Sequence, residues 1–263
     1  MVNRRERSDV IVKLLREQGA MRINDLADAL GVSHMTVRRD VDRLIEENRV
    51  QRYHGGVRLS SVESRVDYDL KSAEYEHRAE KEAIARRAST YINSGDTVFL
   101  DAGTTTELIA RSIPEDQGIT VVSLALNIIA IAAEKSGVRV IGGGGVYHES
   151  SGVFDGPETV ALLNRTRTTI AFLSANAVQF ELGVTCSNSF EVAGKQAAMR
   201  SSLRSVLVVD SSKLGHVVSE HFANLEDFAS VIMDAPAKSD VVERCRRSGV
   251  RFNFVDVDDR SQM

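Results

Sequence analysis

The chain has 263 residues, 43% of them hydrophobic, which is enough for two domains with ordinary cores. Its two cysteines, Cys186 and Cys245, have no disulfide or zinc spacing and are expected as buried thiols; no apolar run approaches the roughly 20 residues of a membrane span, and the polar N-terminus predicts a cytoplasmic location. Net charge is −4 but divides into +3 over residues 1–58 and −7 over residues 59–263, so the basic end suits phosphate contact and the acidic remainder does not.

Residues Arg4 to Gln18 predict a first helix with Val10, Ile11, Leu14 and Leu15 on its buried side. Asn24 is expected to cap a short helix carrying Leu26, Ala27 and Leu30, Gly31-Val32 turns the chain, and Ser33 caps the next helix. There Val37, Val41, Leu44, Ile45 and Asn48 share one stripe, which turns Met35, Arg39, Asp42 and Arg43 outward with Thr36 and Arg38 on the flanks. Threonine and two arginines at the start of such a helix are what a recognition helix presents to a major groove, where Arg bridges a guanine edge or holds a phosphate. Residues 50–54 alternate as a strand, Gly55-Gly56 supplies a hairpin turn, and Val57 to Leu59 return, with Arg52, His54 and Arg58 on the ribbon.

Helical hairpins with outward arginines also occur in proteins that never meet DNA. Three helices and a wing in this order within about 60 residues decide for double-stranded DNA as the partner. The candidate contacts are Ser33, His34, Met35, Thr36, Arg38, Arg39, Arg43, Arg52, His54 and Arg58.

The expected division is a winged helix-turn-helix domain over 1–59, a polar linker over 60–78 and an α/β domain over 79–263. In the last, a helix near Ala79–Ile92 is followed by strands at Thr97–Leu100, Ile119–Val122, Val138–Ile141, Thr169–Leu173, Ser205–Val209, Ser230–Met233 and Arg251–Val255, with helices between. Continuous apolar strands alternating with helices predict a mostly parallel sheet covered on both faces, and ligands of such sheets collect at the carboxyl ends of the strands.

Three loops at those ends offer chemistry. Asp101-Ala102-Gly103-Thr104-Thr105-Thr106 leads into a helix, whose first N–H groups and Thr hydroxyls would cradle a phosphate; a plain helix cap is the alternative. Gly142-Gly143-Gly144-Gly145 lets backbone approach a ligand closely, or is a flexible turn. Asp210-Ser211-Ser212-Lys213 gathers a carboxylate, two hydroxyls and a cation, or is a solvated turn. His34 and His54 are placed to meet phosphate, whereas His77, His148, His216 and His221 have no metal spacing, so neither a metal nor a cofactor is expected.

These residues resemble the DeoR family of bacterial transcriptional regulators over nearly the whole length. The N-terminal motifs are Leu26-Ala27, Val32-Ser33, Thr36-Val37-Arg38-Arg39-Asp40, Leu44 and His54-Gly55-Gly56. The C-terminal ones are Lys81, Asp101 to Thr106, Gly144-Gly145, Gly156-Pro157, Glu191, Lys195 and Asp210 to Lys213. The resemblance implies a winged helix joined to a sensor domain of the fold shared by ribose-5-phosphate isomerase, glucosamine-6-phosphate deaminase and CoA transferases. It further implies a repressor of a carbohydrate operon, an effector that is a phosphorylated sugar or sugar acid, and a homo-oligomer, dimer or tetramer. The expected effector residues are Asp101, Gly103, Thr104, Thr105, Thr106, Ser123, Gly144, Gly145, Asn176, Glu191, Lys195, Asp210 and Lys213.

Two positions depart from the family's pattern. Leu124 stands in Ser123-Leu124-Ala125 where an Asn is usual, removing one polar ligand contact. Asn176 stands in Ser174-Ala175-Asn176-Ala177 where an Asp is common; an amide is no proton-transfer base. The rival reading is a sugar-phosphate isomerase or deaminase with an accessory DNA-binding domain, which Glu191, Lys195 and Lys213 keep open as acid-base groups. A third, an architectural protein whose second domain only oligomerises, leaves the Thr and Lys213 loops without purpose. Binding needs only charge complementarity while turnover also needs a positioned base, which favours a sensor without catalysis.

Overall fold

The computed structural model describes residues 4–18, 20–47, 49–53, 56–59, 70–73, 76–235 and 239–257. The chain divides into two compact units, Met1–Val66 and Asp67–Met263.

The first unit runs α1 (Arg4–Gln18), β1 (Ala20–Met21), α2 (Ile23–Leu30), α3 (His34–Glu46), β2 (Val50–Tyr53) and β3 (Gly56–Leu59), the strands pairing antiparallel in the order β1-β3-β2. Its core is Ile11, Val12, Leu15, Leu26, Val37, Val41, Leu44 and Val57. Ser8, Ile11, Val12 and Leu15 form the buried stripe of α1, so Val10, one position off that face, is exposed instead. The helix after β1 begins earlier than expected: Arg22 is its N-cap and Asn24 lies inside it, exposed, because Leu26 N donates to Arg22 O. Gly31 closes α2 in the left-handed region (φ 62°), and Ser33 caps α3 by accepting from Thr36 N at 3.2 Å, as the sequence predicts. Gly56 pairs with Tyr53, so it belongs to the returning strand rather than the turn. His54 and Asn48 lie outside the described residues.

The second unit opens with α4 (Leu70–Ala73) and α5 (Arg78–Ser89). Its main sheet is built from β4 (Thr97–Leu100), β5 (Thr120–Ser123), β6 (Arg139–Gly142), β9 (Ile170–Leu173), β12 (Ser205–Val208), β14 (Ser230–Asp234) and β15 (Phe252–Val255). All seven are parallel, in the order β15-β14-β12-β9-β4-β5-β6. The covering helices are α6 (Thr104–Ser112), α7 (Leu126–Ala133), α8 (Pro157–Arg165), α9 (Ser189–Arg200) and α10 (Ser239–Arg247), with α5 packed along α6. Every residue of β9, β12 and β14 is buried, which is why these strands read as unbroken apolar runs.

Two smaller sheets escaped the periodicity. β10 (Ala177–Gln179), β11 (Gly183–Cys186) and β13 (Glu220–Ala223) form an antiparallel sheet, and β7 (Val146–His148) with β8 (Val153–Asp155) form a hairpin. Strands of three or four residues are too short to establish an alternating pattern.

The strand order sets a topological switch point. From β4 the chain winds through β5 and β6 to one side; it then returns to β9 on the other side and winds outward through β12, β14 and β15. The reversal leaves a crevice between the carboxyl ends of β4 and β9, the place where open α/β sheets collect ligands.

Candidate DNA-reading surface and ligand cleft

On α3, Val37, Asp40, Val41 and Leu44 face inward, while His34, Met35, Arg38, Arg39 and Asp42 are exposed on the opposite side. Ser33 and Thr36 are tied together by their hydroxyls at 2.9 Å, so both serve the helix start. Arg43 is not among the outward residues: its guanidinium turns back to donate to Ser8 Oγ at 2.5 Å and lies 3.5 Å from Glu47. Beside it the buried Asp40 accepts two bonds from Arg7, at 2.6 and 3.2 Å, which fix α1 against α3. Arg52 of the wing reaches Asp42 of α3 at 2.5 Å. Arg58 is placed in β3 opposite Ala20 and Gln51.

In the second unit the crevice between β4 and β9 is occupied by an ion-pair cluster. Lys195 Nζ lies 2.5 Å from Asp101 Oδ2, 3.3 Å from Glu191 Oε2 and 3.3 Å from Ser174 O. It donates hydrogen bonds to Asp101 and Ser174 and is ion-paired with Glu191, and Phe222 lies beneath it with the ring centroid 5.3 Å away. Burial disfavours the ammonium, but Asp101 and Glu191 outweigh that penalty and hold Lys195 protonated well above the ordinary lysine range. The neighbouring Cys186 thiol is pushed up to about 12 by burial.

Asp101 takes Lys195, Ser174 N and Ser174 Oγ all on Oδ2, and Glu191 Oε1 accepts from Asn188 Nδ2 at 2.8 Å. The cluster lines a narrow cleft together with Leu124, Val153, Phe154, Asp155, Thr159 and Phe190. Leu124 fills this space closely: a Cβ on Gly143 or Gly194 would lie 2.6 or 2.8 Å from its methyl groups.

The remaining expected residues fall into separate roles. Thr104, Thr105 and Thr106 are buried at the start of α6, where Thr106 Oγ1 donates to Gly103 O at 2.9 Å. Gly103 has φ 144°, and a Cβ there would lie 2.8 Å from Ser174 Oγ, so the β4 and β9 loops touch through this glycine. Ser123 does not face the cleft; its hydroxyl donates to Leu100 O at 2.7 Å and accepts from Ala125 N. Asn176 staples the β9–β10 turn by accepting from Ser187 N at 3.0 Å. Gly145 (φ 118°) lies against Asp155 O, whereas Gly144 is open. Asp210 is buried and caps its own turn through Ser212 N at 3.1 Å, with Lys213 half-buried behind it.

Sequence reasoning missed Ser174, which the fold brings onto Asp101, and gave no site role to Lys81. Lys81 is buried on α5, donates to Ala73 O at 2.6 Å and feels both Asp210 and Lys213; burial lowers its pKa. Its position in the family motif was the available signal. Among the described residues no cluster of metal-ligating side chains occurs, and no helix is long and apolar enough to cross a membrane.

A winged helix and an α/β unit with a buried charged cluster at its switch point, carried on one chain, are the parts of a DNA-binding regulator. Residues 7–63 match the DeoR-like helix-turn-helix domain and residues 76–235 the DeoR C terminal sensor domain, so the chain belongs to the DeoR family of transcriptional regulators. It is 33% identical over 235 residues to the lactose phosphotransferase system repressor of Staphylococcus aureus, covering 89% of this chain and 93% of that one. It is 29% identical over 239 residues to the glycerol-3-phosphate regulon repressor of Escherichia coli, covering 90% and 94%. Ribose 5-phosphate isomerase A from Methanocaldococcus jannaschii aligns with 51% of the chain at 16% identity and a TM-score of 0.39.

Proposed function

We propose that this protein represses a carbohydrate-utilisation operon and that a phosphorylated sugar or polyol in the switch-point cleft changes its grip on DNA. The observation that carries the reading is the buried Asp101–Lys195–Glu191 cluster at the β4/β9 crevice. The two relatives, repressors of the lactose phosphotransferase system and of the glycerol-3-phosphate regulon, support this class of operon.

The geometry favours a particular orientation of the ligand. Lys195 is engaged by Asp101 and Glu191, which leaves the cluster one negative charge in excess, and Asp155 adds another to the cleft lining. That lining repels a second anionic group and accepts hydrogen bonds from hydroxyls, so the non-phosphate end is neutral rather than a sugar acid. The phosphate goes to the start of α6, where the helix N–H groups and the three threonines are gathered, with Lys81 and Lys213 as the ammonium groups of the α5 and β12 ends. The role is binding without turnover, since Lys195 is locked between carboxylates and Asn176 is committed to backbone.

Calorimetry against matched phosphorylated and unphosphorylated sugars and polyols tests this. Binding is expected only for the phosphorylated members, and Thr105→Val is expected to abolish it while leaving DNA affinity intact. Wild-type affinity in that variant excludes the α6 loop as the phosphate site, and conversion of the bound ligand followed by NMR would make the protein an enzyme. Arg39→Ala should weaken binding to the operator by about 1–3 kcal/mol if the side chain reads a base.

A further inference from the structure

In the first unit a groove opens between the start of α2, the outer face of α3 and the wing. It is lined by Arg22, Asn24, Arg38, Asp42, Arg52 and Gly56 among others, so three guanidinium groups face one carboxylate. That carboxylate is not spread among them: Asp42 pairs with Arg52, each side chain more than half exposed. Arg22 is exposed at the N-cap of α2 in extended backbone (φ −77°, ψ 154°), its side chain makes no cap hydrogen bond, and it forms no ion pair with any described residue.

The groove is therefore a cationic channel in which, among the described residues, neither Arg22 at the α2 wall nor Arg38 on α3 is paired with a carboxylate. Arg38 belongs both to the groove and to the outward face of α3, so an anionic strand held here is continuous with whatever α3 reads. Helix α3 fits the major groove of B-form DNA and not the deep, narrow one of A-form RNA, which makes that strand a DNA backbone. An exposed ion pair such as Arg52–Asp42 contributes little net stability, so Arg52 exchanges its carboxylate for a phosphate at small cost.

We infer that this groove is a sequence-independent clamp on the DNA backbone, in which Arg22 holds a phosphate opposite the wing and Asp42 competes with phosphate for Arg52, moderating affinity for arbitrary DNA. The inference rests on the reading of α3 as a recognition helix. It adds a contact outside that helix, from a residue whose place before a helix start gave no hint of DNA.

The test is fluorescence anisotropy of the full chain with a short labelled duplex of arbitrary sequence, titrated at several salt concentrations. Arg22→Ala is expected to reduce the slope of log affinity against log salt by about 0.9, the loss of one phosphate contact, and to do so equally on unrelated duplexes. Arg22→Lys should retain the wild-type slope, and Asp42→Asn should tighten binding several-fold. An unchanged slope in Arg22→Ala, or weakened binding in Asp42→Asn, overturns the inference. So does a fall in melting temperature in Arg22→Ala that accounts for its lost binding. A wild type that binds no duplex in a salt-dependent way removes the DNA-binding reading itself, and the clamp with it.

Discussion

Lys195 sits 3% exposed between two carboxylates, a position in which removing one partner costs far more than the pair contributes. Lys195→Met leaves Asp101 and Glu191 buried side by side and should destabilise the second unit by about 3–5 kcal/mol, measured by urea unfolding. Adding Asp101→Asn to that variant should recover part of the loss, because it removes one of the two stranded charges. Alkaline titration reports on Cys186, which feels the charges of this cluster. Its folded pKa of about 12 lies above the ordinary thiol value, so its contribution is fully present below about pH 8.5 and is lost as pH rises toward 12. Between about pH 8.5 and 10 this thiol should make unfolding easier by about 1.4 kcal/mol per pH unit, and Cys186→Ala should remove that part of the slope. Lys195, also raised, begins to lose its contribution above the ordinary lysine value of about pH 10.4, where the slope should steepen.

At the scale of elements, the two glycine-rich neighbours Gly144 and Gly145 make a comparison of backbone demand. Gly144 has open space where a Cβ would go, while Gly145 has φ 118° and Asp155 O at the same point, which is how the β6 loop seats against the β7–β8 hairpin. Gly144→Ala should change stability by less than about 0.5 kcal/mol, and Gly145→Ala should cost about 2 kcal/mol or more, with a thermal melt to distinguish them. In the first unit the corresponding joint is Asp40–Arg7, which locks the recognition helix onto α1. Asp40→Ala should loosen α3 by about 2–3 kcal/mol, read as faster hydrogen exchange of α3 amides in the full chain. DNA affinity should fall although Asp40 itself is turned away from the exposed face.

For the whole molecule, one winged helix reads only a few base pairs, and selectivity against a genome needs two or more half-sites at fixed spacing. An even-numbered oligomer is the expected working form, and light scattering that finds a monomer at micromolar concentration with and without DNA would rule it out. Because the chain divides into two compact units, the proposed reading predicts that Thr105→Val in the second uncouples the ligand response without touching operator affinity.

Local chemistry made much of this legible from sequence. The Ser33 cap, the Val37-Val41-Leu44 stripe and the apolar runs at 97–100, 170–173 and 205–208 depend on neighbours within one turn or one strand, and each appears where periodicity placed it. Tertiary structure alone decided the rest. The crossover that sets β9 beside β4 brings Ser174 and Lys195 onto Asp101, across 73 and 94 residues of chain, and no local pattern encodes that meeting. The same holds for Arg43, whose spacing places it outward and whose nearest acceptor, Ser8, lies 35 residues away on another helix. Side-chain periodicity assigns a face to each residue; which charges meet across the faces is set by how the elements pack, and that packing engages Ser123 and Asn176 with backbone groups of other segments.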